Sequence, residues 1–307
     1  MTVPEFTTLD ALVEAFDAFQ RCTRGLRPRT LHGYSALIRK FVRDVLGDDP
    51  IDVRRIIPSD VVGFVTGMIR RYSPCSMKLV GAALRSLFGF LRVQGLVDGR
   101  LEAAIPRVAF WRLSSLPRFL TDEQLAMVLA APVTDAPCAR RDRAIVFCLA
   151  TLGLRPGELA DLRLEDIDWR RAVVSLRTRK TRRGALLPLP RRSARAVADY
   201  LRWERPRTPE RHVFVQHLGS RRGMPISSAV VSAAVARALR RARVEAPMQG
   251  AYVFRHTVAS RMVRHGASLK EVADVLGHRS LDTTAIYAKL DVPALRNVAQ
   301  AWPEVTP

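Results

Sequence analysis

The chain is poor in the residues that build several common kinds of site. It has 4 cysteines, Cys22, Cys75, Cys138 and Cys148. No two stand in a CxxC spacing, which argues against a zinc site and a disulfide framework and fits a reducing cytoplasm. No stretch approaches the roughly 18 consecutive apolar residues that span a bilayer, so no membrane association is expected. The first ten residues, Met1 to Asp10, carry acids and no basic residue, unlike a signal peptide. His212 and His217 have no third ligand in sight and read as structural, and no carboxylate pair suggests a metal. Lysine is scarce, at Lys40, Lys78, Lys180, Lys270 and Lys289.

Acidic residues are the most telling deficit. Asp+Glu total 29 against 50 for Lys+Arg, a formal net charge of +21. A GC-rich genome exchanges lysine for arginine but does not create net charge. So large an excess repels itself unless a polyanion is near, and nucleic acid is the usual one. Hydrophobic residues make up 48% of the 307, enough for two cores.

The pattern along the chain is mainly helical with a small β-sheet, an α+β organisation. Leu9, Leu12, Val13, Phe16 and Phe19 recur at helical spacing. Pro28 opens a second helix that Gly47 ends. A third is expected from Ser59 to about Arg71, and a fourth from Ser76 to about Gln94. Arg21, Arg24, Arg27, Arg29, Arg39, Lys40 and Arg43 would lie on their exposed faces. Residues 106–118, with Pro106, Arg107, Arg112, Pro117 and Arg118, break the pattern as a basic linker. It separates a helical domain, 1–105, from a second domain, 119–307.

Thr121 and Gln124 form a capping box at the start of the second domain. Helices are expected from Arg141 to Leu152, from Pro156 to Leu162, from Ser228 to Arg243, from Tyr252 to His265, from Ser268 to Leu276 and from Thr283 to Leu290. Two strands, Ala172–Arg177 and Ala185–Leu189, flank a basic turn.

Five features of this domain occur in a fixed order. They are Arg155 in Gly153-Leu154-Arg155-Pro156-Gly157-Glu158-Leu159, Lys180 in the basic turn, Arg255 in Phe254-Arg255-His256, His278 in Leu276-Gly277-His278, and Tyr287 nine residues later. Taken singly, each has an ordinary reading: a surface arginine, a solvated lysine, a helix-cap histidine, a half-buried tyrosine. Taken in order, they resemble the tyrosine recombinase (phage integrase) family across the whole second domain. The helical first domain and the basic linker resemble that family too.

Phosphodiester chemistry suits this set independently. Attack on a phosphodiester builds negative charge, and two arginines, Arg155 and Arg255, can clamp one phosphate through paired non-bridging oxygens. Preorganised donors of this kind contribute roughly 3 kcal/mol each. Tyrosine can act as a covalent nucleophile, and nearby positive charge is expected to help ionise it. Lys180 on its turn can protonate the leaving 5′ oxygen.

The resemblance implies more. Tyr287 would form a 3′-phosphotyrosine bond and free a 5′ hydroxyl, which then attacks from a partner strand without ATP, metal or other cofactor. It also implies Lys180 as general acid, since Lys180 lies eight residues before Pro188 as in the family, and His278 as a donor to the phosphate. Arg179, Arg182 and Arg183 would bind backbone phosphates. The implied architecture is a C-shaped clamp on double-stranded DNA, made of a SAM-like core-binding domain and a catalytic domain. Four protomers would act on two DNA sites, alone or with related recombinases, in a nucleoid-associated cytoplasmic setting. The ending Leu290-Asp291-Val292-Pro293-Ala294-Leu295 resembles recombinases of mobile elements.

One departure stands out. The family has a histidine three residues before its second arginine; here that position is Tyr252. His256 is not expected to replace it, because it lies about 100° around the helix from Arg255. Two options stay open, a working enzyme with an altered accessory residue or a weakened one. Two rivals also remain, an accessory DNA-binding protein of the same element and a type IB topoisomerase-like relaxing enzyme. Glu158 reads as a structural partner for a nearby arginine or backbone group.

Overall fold

The computed structural model describes residues 6–107, 116–134, 136–176, 184–278 and 280–290, apart from the side chain of Cys75. The chain forms two compact units, Met1–Trp111 and Arg112–Pro307.

The first unit holds α1 (Leu9–Arg24), α2 (Pro28–Leu46), α3 (Pro58–Ile69), α4 (Pro74–Val93) and the short α5 (Arg100–Ala103). Thr8 caps α1 by accepting the Ala11 N–H, and Gly25, at φ 56°, ends it in the left-handed region. α3 and α4 begin slightly earlier than Ser59 and Ser76, because Pro58 and Pro74 occupy their first turns. Phe41 centres the core, edge-on to Phe64 at 5.1 Å and to Phe88 at 5.7 Å. Arg21, Arg24, Arg27, Arg29 and Arg43 are exposed. Arg39 pairs with Asp10, and Lys40 pairs with Asp44 at 2.9 Å, so these two cations are partly neutralised.

The second unit is built on α7 (Ala139–Leu152), most of whose residues are buried. Its start is capped from a distance: Glu204 accepts the N–H groups of Arg140 and Arg141. α6 (Asp122–Ala130) precedes it, with the expected Thr121–Gln124 capping box. α8 (Pro156–Ala160) leads into a three-stranded antiparallel sheet, β1 (Ile167–Asp168), β2 (Val173–Leu176) and β3 (Ala185–Pro188), ordered β1-β2-β3. Register pairs Val174 with Ile167 and with Leu187. Strand β2 starts one residue later than expected, because Ala172 sits at φ 52° in the preceding turn. α9 (Arg191–Trp203), α10 (Ser228–Arg241) and α11 (Tyr252–Arg264) pack around α7. β1 and α9 lie beyond the elements expected from the sequence pattern.

α12 (Leu269–Leu276) has the expected Ser268–Glu271 box and left-handed Gly277. The helix expected over Thr283–Leu290 is instead two 3₁₀ segments, Leu281–Thr283 and Ala285–Leu290. Here Tyr287 N–H donates to Thr284 C=O at 2.9 Å. In a 3₁₀ segment residues i and i+3 eclipse, so Thr284 and Tyr287 face the same way, and both are buried.

Among the described residues no helix is long and apolar enough to cross a membrane.

Candidate active site

Two helix ends and the start of a third helix make the site. α7 ends at Leu152, and Gly153 turns the chain at φ 61°. A Cβ on Gly153 would stand 2.7 Å from Leu276 Cδ2 and 3.2 Å from Val258 Cγ1. Glycine is therefore required there both for backbone conformation and for close approach. α12 ends at Leu276, and Gly277 turns the chain at φ 60°. The two C-termini thus meet.

Arg255, in the first turn of α11, joins them. Its Nη1 donates to Gly153 C=O at 2.9 Å and its Nη2 to Leu276 C=O at 2.5 Å. Helix C-terminal carbonyls carry partial negative charge, which offsets the cost of burying a guanidinium that is only 5% exposed. Arg155 stands at the N-terminus of α8. Its Nη2 donates to Gly277 C=O at 3.0 Å. Glu158 accepts from the Arg155 backbone at 2.8 Å and from its guanidinium at 2.5 Å, the structural partnership expected of it.

The two arginines therefore share the same helix ends. Burial first, and then the Arg155 charge, bring Arg255 down to about 10. It remains a cation at neutral pH. Two guanidiniums set close enough to repel are an arrangement that an anion between them would relieve.

His278 follows Gly277, and its Nδ1 lies 2.7 Å from Thr284 Oγ1. Tyr287, one 3₁₀ turn after Thr284, is 1% exposed. Its phenol oxygen lies 2.7 Å from His256 Nδ1, with ring centroids 5.8 Å apart. Burial raises the phenol to about 12, against the opposing charge of Arg255. The expected ionising effect of nearby positive charge is present, but desolvation outweighs it.

Arg155, Arg255 and His278 are thus gathered around the α7 and α12 ends, with Tyr287 on the 3₁₀ segment packed against α11 and α12. Lys180, Arg179, Arg182 and Arg183 lie outside the described residues. Tyr252 opens α11 and is 48% exposed.

Two residues were missed. His256 lies about 100° around α11 from Arg255, and that rotation carries it to Tyr287. Thr284, the partner of His278, carried no local signal. His212 lies 2.6 Å from Glu210, and His217 stacks on Tyr200, structural settings as expected. Among the described residues no group of three or more His, Cys, Asp or Glu is placed to hold a metal ion.

The fold is that of the tyrosine recombinases. The Phage integrase family matches residues 118–292, and the chain belongs to that family. It is 38% identical over 291 residues to integrase/recombinase y4rA of Sinorhizobium fredii, covering 95% of this chain and 70% of that one. It is 28% identical to the tyrosine recombinase XerA of Thermococcus kodakarensis, over 94% of both chains. Among solved structures, the XerH site-specific recombinase bound to a palindromic difH substrate aligns with TM-score 0.74 at 17% identity, covering 98% of this chain and 99% of that one. A lambda integrase dimer bound to a core site aligns with TM-score 0.68 at 20% identity, over 97% and 100%.

Proposed function

We propose that the chain is a site-specific recombinase that cuts and rejoins DNA through a 3′-phosphotyrosine bond on Tyr287, serving integration, excision or transposition of a mobile element. The observation that carries this reading is the arginine pair. Arg155 and Arg255 are bound to Gly277, Gly153 and Leu276 at two adjoining helix C-termini, so their spacing is set before any ligand arrives. Such a pair suits a phosphodiester and the extra charge that builds as it is attacked.

In this reading Tyr287 attacks phosphorus while Arg155 and Arg255 hold the non-bridging oxygens. His278 donates to the same phosphate, and Lys180 protonates the departing 5′ oxygen. A 5′ hydroxyl from a partner strand then reverses the step. Bond energy is kept in the phosphotyrosine link, so the chemistry needs no ATP, and Arg155 and Arg255 supply the charge stabilisation that a metal ion would otherwise give. Arg179, Arg182 and Arg183 bind backbone phosphates. The helical domain 1–105, the linker 106–118 and the catalytic domain 119–307 all bind duplex DNA, with four protomers on two sites in the cytoplasm.

The fold neighbours support this assembly by what they were solved with. They include a lambda integrase tetramer on a Holliday junction and the Tn1549 transposon integrase with a circular intermediate DNA.

A second reading, an accessory DNA-binding protein with weakened catalysis, draws on the burial of Tyr287. Nicked trapping duplexes tiled across the DNA flanking the gene separate the two. Wild-type protein is expected to accumulate a covalent adduct on at least one tile, and Tyr287→Phe none. Binding without any adduct would favour the accessory protein.

A further inference from the structure

We propose that His256 is a catalytic residue, the proton acceptor for the Tyr287 phenol. The inference deepens the recombinase reading and rests on it, since it needs Tyr287 to be the nucleophile. It comes from contact with the reacting atom: His256 Nδ1 lies 2.7 Å from the Tyr287 oxygen, with the rings tilted by 52°. A neutral imidazole with its proton on Nε2 presents Nδ1 as an acceptor. Burial, and then the charge of Arg255, hold His256 below the ordinary histidine range, so the acceptor form prevails at neutral pH.

The placement follows from the helix. Arg255 and His256 are consecutive on α11 and project about 100° apart. One turn therefore supplies a cation tied to the two helix ends and an imidazole against the 3₁₀ segment that carries the tyrosine. Tyr252 leaves the same helix without the histidine that the family has three residues before its arginine. His256, four residues on from Tyr252, lies on nearly the same face of α11 one turn further along, and restores an imidazole to the site there.

The proton has a defined route. A phenol raised by burial is not ionised in advance. Its acidity rises as the oxygen bonds to phosphorus, and the proton then passes to Nδ1 along the existing hydrogen bond. The bond from Tyr287 Oη to phosphorus forms, and the bond from phosphorus to the 5′ oxygen breaks. The released electron pair stays on that oxygen, which takes a proton from Lys180. His256 ends as imidazolium and Lys180 as a neutral amine. In rejoining, the attacking 5′ hydroxyl gives its proton to Lys180, and His256 returns its own to the departing phenol oxygen.

The test uses the full chain and the nicked tiles. His256→Asn keeps an acceptor near the Nδ1 position but cannot take a proton; His256→Gln is the second variant, read if the first is unfolded by circular dichroism. Initial adduct rates are expected to fall about 100-fold with duplex binding retained. On duplexes whose 5′ bridging oxygen is replaced by sulfur, the leaving group needs no proton. Lys180→Ala is expected to recover there, while the His256 variants stay slow. Rates within about threefold of wild type on ordinary DNA would overturn the proposal, as would recovery of the His256 variants on the sulfur substrate. Absence of any wild-type adduct, or an equal adduct with Tyr287→Phe, would instead remove the nucleophile, and this inference with it.

Discussion

At the scale of single residues, Tyr287 and Arg255 are perturbed by burial and by each other. Burial holds the phenol neutral, at about 12, and Arg255 pulls the other way. Because the folded value lies above the ordinary 10, folding favours the neutral phenol. That contribution to stability is present below pH 10 and is lost as pH rises through about 12. In a spectrophotometric titration of the folded chain, Tyr287→Phe is expected to remove phenolate absorbance that appears near pH 12. Removal of absorbance near pH 10 would show a solvated phenol and contradict the packing described. Arg255, lowered by burial and then by the Arg155 charge, keeps its charge through the neutral range, and a phosphate held against it favours the charged form further.

At the scale of elements, the site depends on two helix ends that touch. Gly153→Ala puts a methyl group 2.7 Å from Leu276 Cδ2 on a backbone at φ 61°. Urea unfolding is expected to show a loss of about 1–3 kcal/mol, with a further loss of cleavage because Gly153 C=O positions Arg255. Gly157→Ala is the contrast. It meets nothing within 4 Å and lies inside α8, so it should be neutral or stabilising by up to about 1 kcal/mol.

Much of this level was legible in the chain. Ser268, Glu271 and Gly277 bracket α12 as local chemistry dictates, and Gly153 and Pro156 mark the turn that holds Arg155. The failures had physical causes. Tyr287 reaches His256 across 31 residues, through tertiary packing that no local period encodes. The 3₁₀ form of Ala285–Leu290 places Thr284 and Tyr287 in line, where an α-helical reading would not. β1, with two residues, is too short to show a period. The core-facing side of α9 is Ser193, Ala196, Val197 and Tyr200, a modest apolar stripe among many arginines.

At the scale of the whole molecule, each unit has its own core, and charge is the shared property. A net +21 implies that duplex binding releases many counterions and weakens steeply with salt. Neutralising Arg179, Arg182 or Arg183 should lower the slope of log affinity against log salt by about 1 each. Slopes unchanged by these substitutions would place the phosphate contacts elsewhere on the chain. The family match, over residues 118–292, covers the arginine pair, His278 and Tyr287, so the chemistry and the charge can be examined separately.

The central claim is a covalent bond between Tyr287 and a 3′ phosphate. Protease and nuclease digestion of a trapped adduct, followed by tandem mass spectrometry, tests it most directly. The expected product is a nucleotide joined through its 3′ phosphate to the phenol of the peptide containing Tyr287. A nucleotide on any other side chain, or one joined through a 5′ phosphate, would contradict the account.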